Sequence, residues 1–116
     1  MKRLLNKTKS NQQIASSLRV ADTFVSRLKG LMFDSSMPPG SALFFEDCRC
    51  IHTCFMNFAI DTIFVDQNMV VKKSFENIKP WRLSQIVWHA RSVIELPAGT
   101  LKNSRVDIGD ELYVGD

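Results

Sequence analysis

The chain of 116 residues is 45% hydrophobic and 23% charged, a composition that supports one core and excludes wholesale disorder. Its net charge of +3 is unevenly spread: residues 1–30 hold seven Lys/Arg against Asp22 alone, a charge of +6, and the remainder carries −3. A basic patch is possible on those terms, but not the concentrated stripe that nucleic-acid binding needs, so nucleic acid is not expected as a partner.

No apolar run approaches the length of a membrane span, and Asn6, Lys7 and Lys9 interrupt the apolar start before any signal-peptide core forms. No membrane partner is expected. Cys48, Cys50 and Cys54 are odd in number and tightly clustered, which does not resemble a disulfide framework and suits a reducing compartment. Cytoplasmic localisation is the expectation.

In chain order, residues 2–7 and roughly 14–21 read as strands separated by a turn at Asn11-Gln12. Asp22 is placed as an N-cap for the one main helix, near residues 23–31, where Phe24, Leu28 and Leu31 share a face. Met37-Pro38-Pro39-Gly40 is a loop, because two prolines remove donors and fix φ. Residues 42–45 form a short strand. Ile60–Val65 and Met69–Phe75 flank Asp66-Gln67-Asn68 as a hairpin, with Asn68 suited to positive φ. In residues 78–90, Pro80 breaks any helix, and Trp81 and Trp88 read as packing anchors. Val93–Leu96 is a strand stopped by Pro97-Ala98-Gly99; a helical turn near Leu101–Ser104 and a last strand, Glu111–Val114, follow. The sum is a single α+β domain over 1–116, mostly β, with a curled antiparallel or mixed, barrel-like sheet and one main helix.

Four blocks in this order and spacing resemble a known family. They are Ala21-Asp22-Thr23 with Arg27-x-x-Gly30-Leu31-Met32; Ile51-His52-Thr53-x-Phe55-Met56 with Ile60-Asp61-x-x-Phe64-Val65-Asp66; Lys79-Pro80-Trp81; and Glu95-Leu96-Pro97-Ala98-Gly99-Thr100 with Gly109-Asp110. Together they resemble the domain of unknown function 192 over about residues 20–114, with strands 1–19 preceding it. The resemblance implies a small, largely β fold in prokaryotes with no established activity. Many similar proteins are exported, a property not carried over here. Asn57 stands where similar sequences often have a basic residue, and Ala59 where Pro is frequent.

Three constellations could carry chemistry. In an extended run, Cys48, Cys50, His52, Cys54 and Met56 fall on one face. Soft sulfur and nitrogen ligands there would suit Zn(II) or Cu(I). His89 is the other imidazole, and no second cysteine pair completes a knuckle. Small buried thiols are the plainer reading, and no cofactor is favoured. A nucleophilic Cys–His pair is weaker still, since such partners are seldom sequence neighbours.

The third constellation joins His52 and Asp61, with Arg27 and Glu95 in support, and could do acid–base work, hydrolysis being one such chemistry. The plainer alternative is that Asp61 accepts backbone N–H groups or pairs with Arg27. Alternation places Glu95 on the outer face of its strand. The leading expectation is an accessory module that binds a small molecule or protein. Its cleft lies near Met56–Asp61, Trp81 and Leu96–Gly99, with Arg27, Met56, Asp61, Trp81 and Glu95 as contacts. An enzyme using His52 and Asp61 is one alternative; a thiolate metal site at Cys48, Cys50 and Cys54 is another.

Overall fold

The computed structural model describes residues 2–21, 37–49, 57–82 and 86–116. The helix expected near 23–31 lies outside them. Eight strands and one helical turn are described: β1 (Arg3–Asn6), β2 (Gln12–Ala15), β3 (Ser17–Val20), β4 (Ser41–Phe45), β5 (Ile60–Val65), β6 (Val71–Ile78), β7 (Ser92–Pro97), α1 (Thr100–Asn103) and β8 (Leu112–Gly115). They form a three-stranded antiparallel sheet, β2-β1-β8, and a five-stranded mixed sheet, β3-β4-β7-β5-β6. Among the described strands only β3 and β4 run parallel, and parallel neighbours cannot be joined by a short hairpin turn.

The expected strand over 14–21 is in fact two. At Ser16 the chain leaves the small sheet for the large one, and the N–H groups of Ser16 and Ser17 both bond the Gly40 carbonyl, at 2.8 and 3.1 Å. The sheets approach again where Leu112 N–H bonds Met69 O and Val71 N–H bonds Asp110 O, at 2.9 and 2.8 Å. Beyond these corners the ladders stop, so two packed sheets result and not a closed barrel.

Burial follows strand position. β5 is buried at all six residues and β7 at five of six, because both are central strands covered on both faces. One face packs Leu18, Ala42, Ile63, Ile94 and Leu96 against Leu4, Ile14, Ala15 and Leu112 of the small sheet. The other packs Leu43, Phe45, Ile60, Phe64 and Val93 with Ala21 and Ala90, and Met37, Cys48, Phe58, Phe75 and Ile78 lean on it. Each large apolar side chain buried this way contributes about 1.5–3 kcal/mol. Edge strand β6 carries Lys72, Lys73 and Glu76, charges that discourage pairing with another chain.

The β5–β6 hairpin differs from expectation in one detail. Met69, not Asn68, takes positive φ, at 62°. Asp66 explains it: its Oδ1 accepts the N–H of Asn68 and of Val70 at 2.8 and 3.0 Å, and its carbonyl accepts Met69 N–H. The carboxylate winds the turn one residue further than a two-residue loop would.

Candidate functional site

Asp61 is completely buried. Its Oδ1 accepts Asn77 N–H at 2.8 Å, and its Oδ2 accepts the N–H groups of Gly99 and Leu101 at 3.1 and 2.9 Å. The local backbone is shaped for these bonds. Between the pairs Ile60↔Ile78 and Thr62↔Phe75, β6 carries an extra residue, and Asn77 sits at φ 54° in that bulge. Gly99, at φ 95°, turns the end of β7 into α1, a conformation that costs other L-residues about 1–2 kcal/mol. One carboxylate thus ties β5 to the bulge that leads toward Trp81 and to the turn after Pro97. Of the three segments named from the sequence, Asp61 thus bonds the turn that holds Gly99, and Asn77 stands four residues before Trp81.

Glu95 lies on the opposite face. Cross-strand partners share a face, and the register pairs Asp61 with Leu96 but Thr62 with Glu95. The two acids therefore do not share a pocket. Alternation suggested an outer, solvated face for Glu95; it is instead 5% exposed, because the apolar cluster of Phe45, Phe64 and Val93 covers that side of central strand β7. Burial pushes its carboxyl up to about 8. No hydrogen bond or ion pair joins it to any group among the described residues.

A row of register partners crosses the sheet through this acid: Leu43, Glu95, Thr62 and Phe75 on β4, β7, β5 and β6. Thr62 is fully buried, and its Oγ1 has no hydrogen-bond partner among the described residues. A hydroxyl left so costs about 1–3 kcal/mol. Phe75 meets Phe64 edge-on, with ring centroids 5.8 Å apart. Thr62 was not singled out in the sequence; its signal was its place in an otherwise apolar strand, two residues before Phe64.

The expected aromatic anchors are not buried. Trp81 is 58% exposed and Trp88 71% exposed, since both sit in the loop after β6 rather than over the core. Trp81 also holds φ 62°, a rare conformation for a bulky residue. Of the sulfur candidates, Cys48 is described: it is half-buried, leans on the second cluster and donates its N–H to Arg91 O at 2.9 Å. His89 is exposed. Arg27, Cys50, His52, Cys54 and Met56 lie outside the described residues. Among the described residues no group of three His, Cys, Asp or Glu could hold a metal ion, and no helix is long and apolar enough to cross a membrane.

A cavity of about 920 Å³ opens at the other end of the large sheet, between the Asp66–Val70 turn and the Glu111–Val114 edge. None of the candidate site residues named from the sequence lines it. Three of its four charged side chains are committed, Asp66 to its own turn and Lys72, Glu111 to Lys7, and Arg91 to Asp47.

A two-sheet β fold of this kind is found in other proteins. A protein of unknown function from Novosphingobium aromaticivorans superposes with a TM-score of 0.79 over 97% of this chain and 82% of that one, at 18% identity. A protein from Sinorhizobium meliloti described as a putative transcription regulator gives 0.76, covering 97% and 91%, at 24% identity. These likenesses show the fold. By sequence, the UPF0127 protein PF1050 of Pyrococcus furiosus is 35% identical, covering 94% of this chain and 95% of that protein, and UPF0127 protein PH1112 of Pyrococcus horikoshii is 34% identical, covering 94% and 96%. The family model DUF192 (Uncharacterized ACR, COG1430) matches residues 5–114. The chain belongs to this uncharacterised family.

Proposed function

We propose that the protein is a non-catalytic module that binds a small organic molecule at the end of the large sheet where Asp61 gathers its three segments. Trp81 carries this reading. A large indole left 58% exposed, on a backbone strained to φ 62°, is maintained at a cost of about 1–3 kcal/mol, and such strain concentrates at ligand-binding and functional positions. The Asp61 hydrogen bonds hold the bulge before Trp81 and the Pro97–Leu101 turn on either side of β5, which gives the cleft fixed walls. Phe58, Phe75 and Ile78 are partly buried against the cluster on the sheet face that bears Glu95.

Asp61 acts here as a positioning residue, because both oxygens are occupied by backbone donors. The reading needs no metal or cofactor, and takes the protein to be cytoplasmic, in keeping with the odd, tightly clustered cysteines of the sequence. In a Trp88→Phe background Trp81 is the remaining tryptophan. Its emission is expected to blue-shift saturably when the low-molecular-weight fraction of a cell extract is added. An emission spectrum that stays that of a water-exposed indole contradicts the proposal.

A further inference from the structure

We infer that Glu95 and Thr62 together form a subsite for a protonated amine, the charged end of the small molecule proposed above. The inference rests on that binding reading and adds the ligand's chemical class.

The geometry begins with the row Leu43–Glu95–Thr62–Phe75. Its two outer members are apolar and its two inner members present oxygen. Both inner residues are more than nine-tenths buried, and Thr62 Oγ1 is without a partner among the described residues. A primary ammonium carries three donors and no acceptor, which matches two carboxyl oxygens and one hydroxyl oxygen on adjoining strands. The aromatic rings of Phe64 and Phe75 on the same face also favour a cation over a neutral group.

Charged groups on this face do not substitute for such a ligand. Arg19, in register with Leu43 on β3, is exposed at one sheet edge. Lys73 lies at the other edge, its Nζ 5.7 Å from the centroid of the Phe75 ring. Neither forms an ion pair with Glu95. An unpaired buried carboxyl is stable only as the neutral acid, so a cation arriving beside it displaces the proton and restores a charge pair. A neutral alcohol or carbonyl of the same size cannot do this.

Benzylammonium and benzyl alcohol, equal in size and different in charge, make the test. Binding to the wild-type protein is followed by ¹⁵N–¹H chemical shifts and calorimetry. Benzylammonium is expected to bind roughly tenfold more tightly than benzyl alcohol, the equivalent of about one pKa unit of differential interaction. At pH 7, in buffers of different ionisation enthalpy, its binding should release about one proton. Glu95→Gln mimics the neutral acid and should fold normally, yet lose the preference and the proton release. Thr62→Val, also isosteric, should weaken benzylammonium several-fold. Equal binding of the two probes, absence of benzylammonium binding, or a preference that survives in Glu95→Gln would each overturn the assignment. Saturable Trp81 emission changes in Glu95→Gln, alongside lost amine preference, would support the subsite and leave the cleft intact. Persisting Trp81 changes with no amine preference in the wild type would reject the subsite alone.

Discussion

Asp61 and Glu95 are one register position apart on neighbouring central strands, and they solve the problem of burial differently. Asp61 collects three backbone N–H donors; Glu95 collects none among the described residues and is held as the neutral acid by burial. Replacing Asp61 by Asn puts an amide where Oδ1 or Oδ2 accepts, so buried donors lose a charged acceptor. A loss of about 2–3 kcal/mol is expected by urea denaturation. Glu95 gives the opposite sign. Its carboxyl titrates at about 8 when folded against 4.5 in its ordinary setting, so between these values the folded protein keeps a proton that the unfolded chain has released. Its contribution to stability is complete below about pH 4.5 and is lost as pH rises through about 8. Calorimetric melting temperatures of Glu95→Gln should lack this decline and exceed those of the wild type at pH 8; parallel profiles would contradict the burial of an unpaired acid. Thr62→Val should raise stability by about 1 kcal/mol, because it removes an unsatisfied hydroxyl while keeping the shape.

The turn from β7 into α1 shows how an element is fixed by few residues. Pro97 ends the strand, Thr100 Oγ1 bonds Pro97 O at 2.7 Å, and Gly99 supplies positive φ where its N–H meets Asp61. A Cβ added to Gly99 would touch nothing within 4 Å, so Gly99→Ala isolates the backbone cost. About 1–2 kcal/mol should be lost, measured as a lower denaturant midpoint with unchanged slope. This turn was legible in the sequence through Pro97-Ala98-Gly99, as was the β5–β6 hairpin through its polar residues. The break at Ser16 was not, because a chain that switches sheets keeps its alternating pattern on both sides. Nor was the burial of Glu95. Alternation reports which residues share a face, whereas the second layer over β7 is set by strand order, which no local pattern contains. The same limit applies to Trp81 and Trp88: composition marks them as apolar, and only the path of the loop after β6 leaves them in water.

At the scale of the whole molecule, the Asp110 carboxylate latches the loop before β8 to the small sheet, while the Asp110 carbonyl accepts Val71 N–H from the large one. Burial would raise this carboxyl, but hydrogen bonds from Asn6 Nδ2, Asp107 N–H and Lys9 Nζ, each 2.9 Å, outweigh it and hold it below its ordinary 3.8. The buried Asn6 joins β1 to the loop before β8, and Lys9 draws in the β1–β2 turn. Asp66 is likewise held low by its own turn and Lys72, against the raising effect of burial. For both, the folded state binds protons less readily than the unfolded chain. Their stabilisation is therefore present above pH 3.8 and disappears as pH falls through the depressed values. Asp110→Asn should unfold at lower denaturant at neutral pH, and the gap from wild type should narrow as pH falls below 3.8 and the native carboxylate becomes protonated. A constant gap would contradict the latch.

The claim that most needs testing is that this fold exists to hold a small molecule at the Asp61 end of the large sheet. Native mass spectrometry of untagged protein, purified with reductant and without chelator, reads it directly. A mass excess of one small organic ligand is predicted in the wild type and in Trp88→Phe, and is predicted to be lost in Trp81→Ala while the folded charge-state distribution is kept. A bare mass in every variant, or equal occupancy after Trp81→Ala, would contradict it.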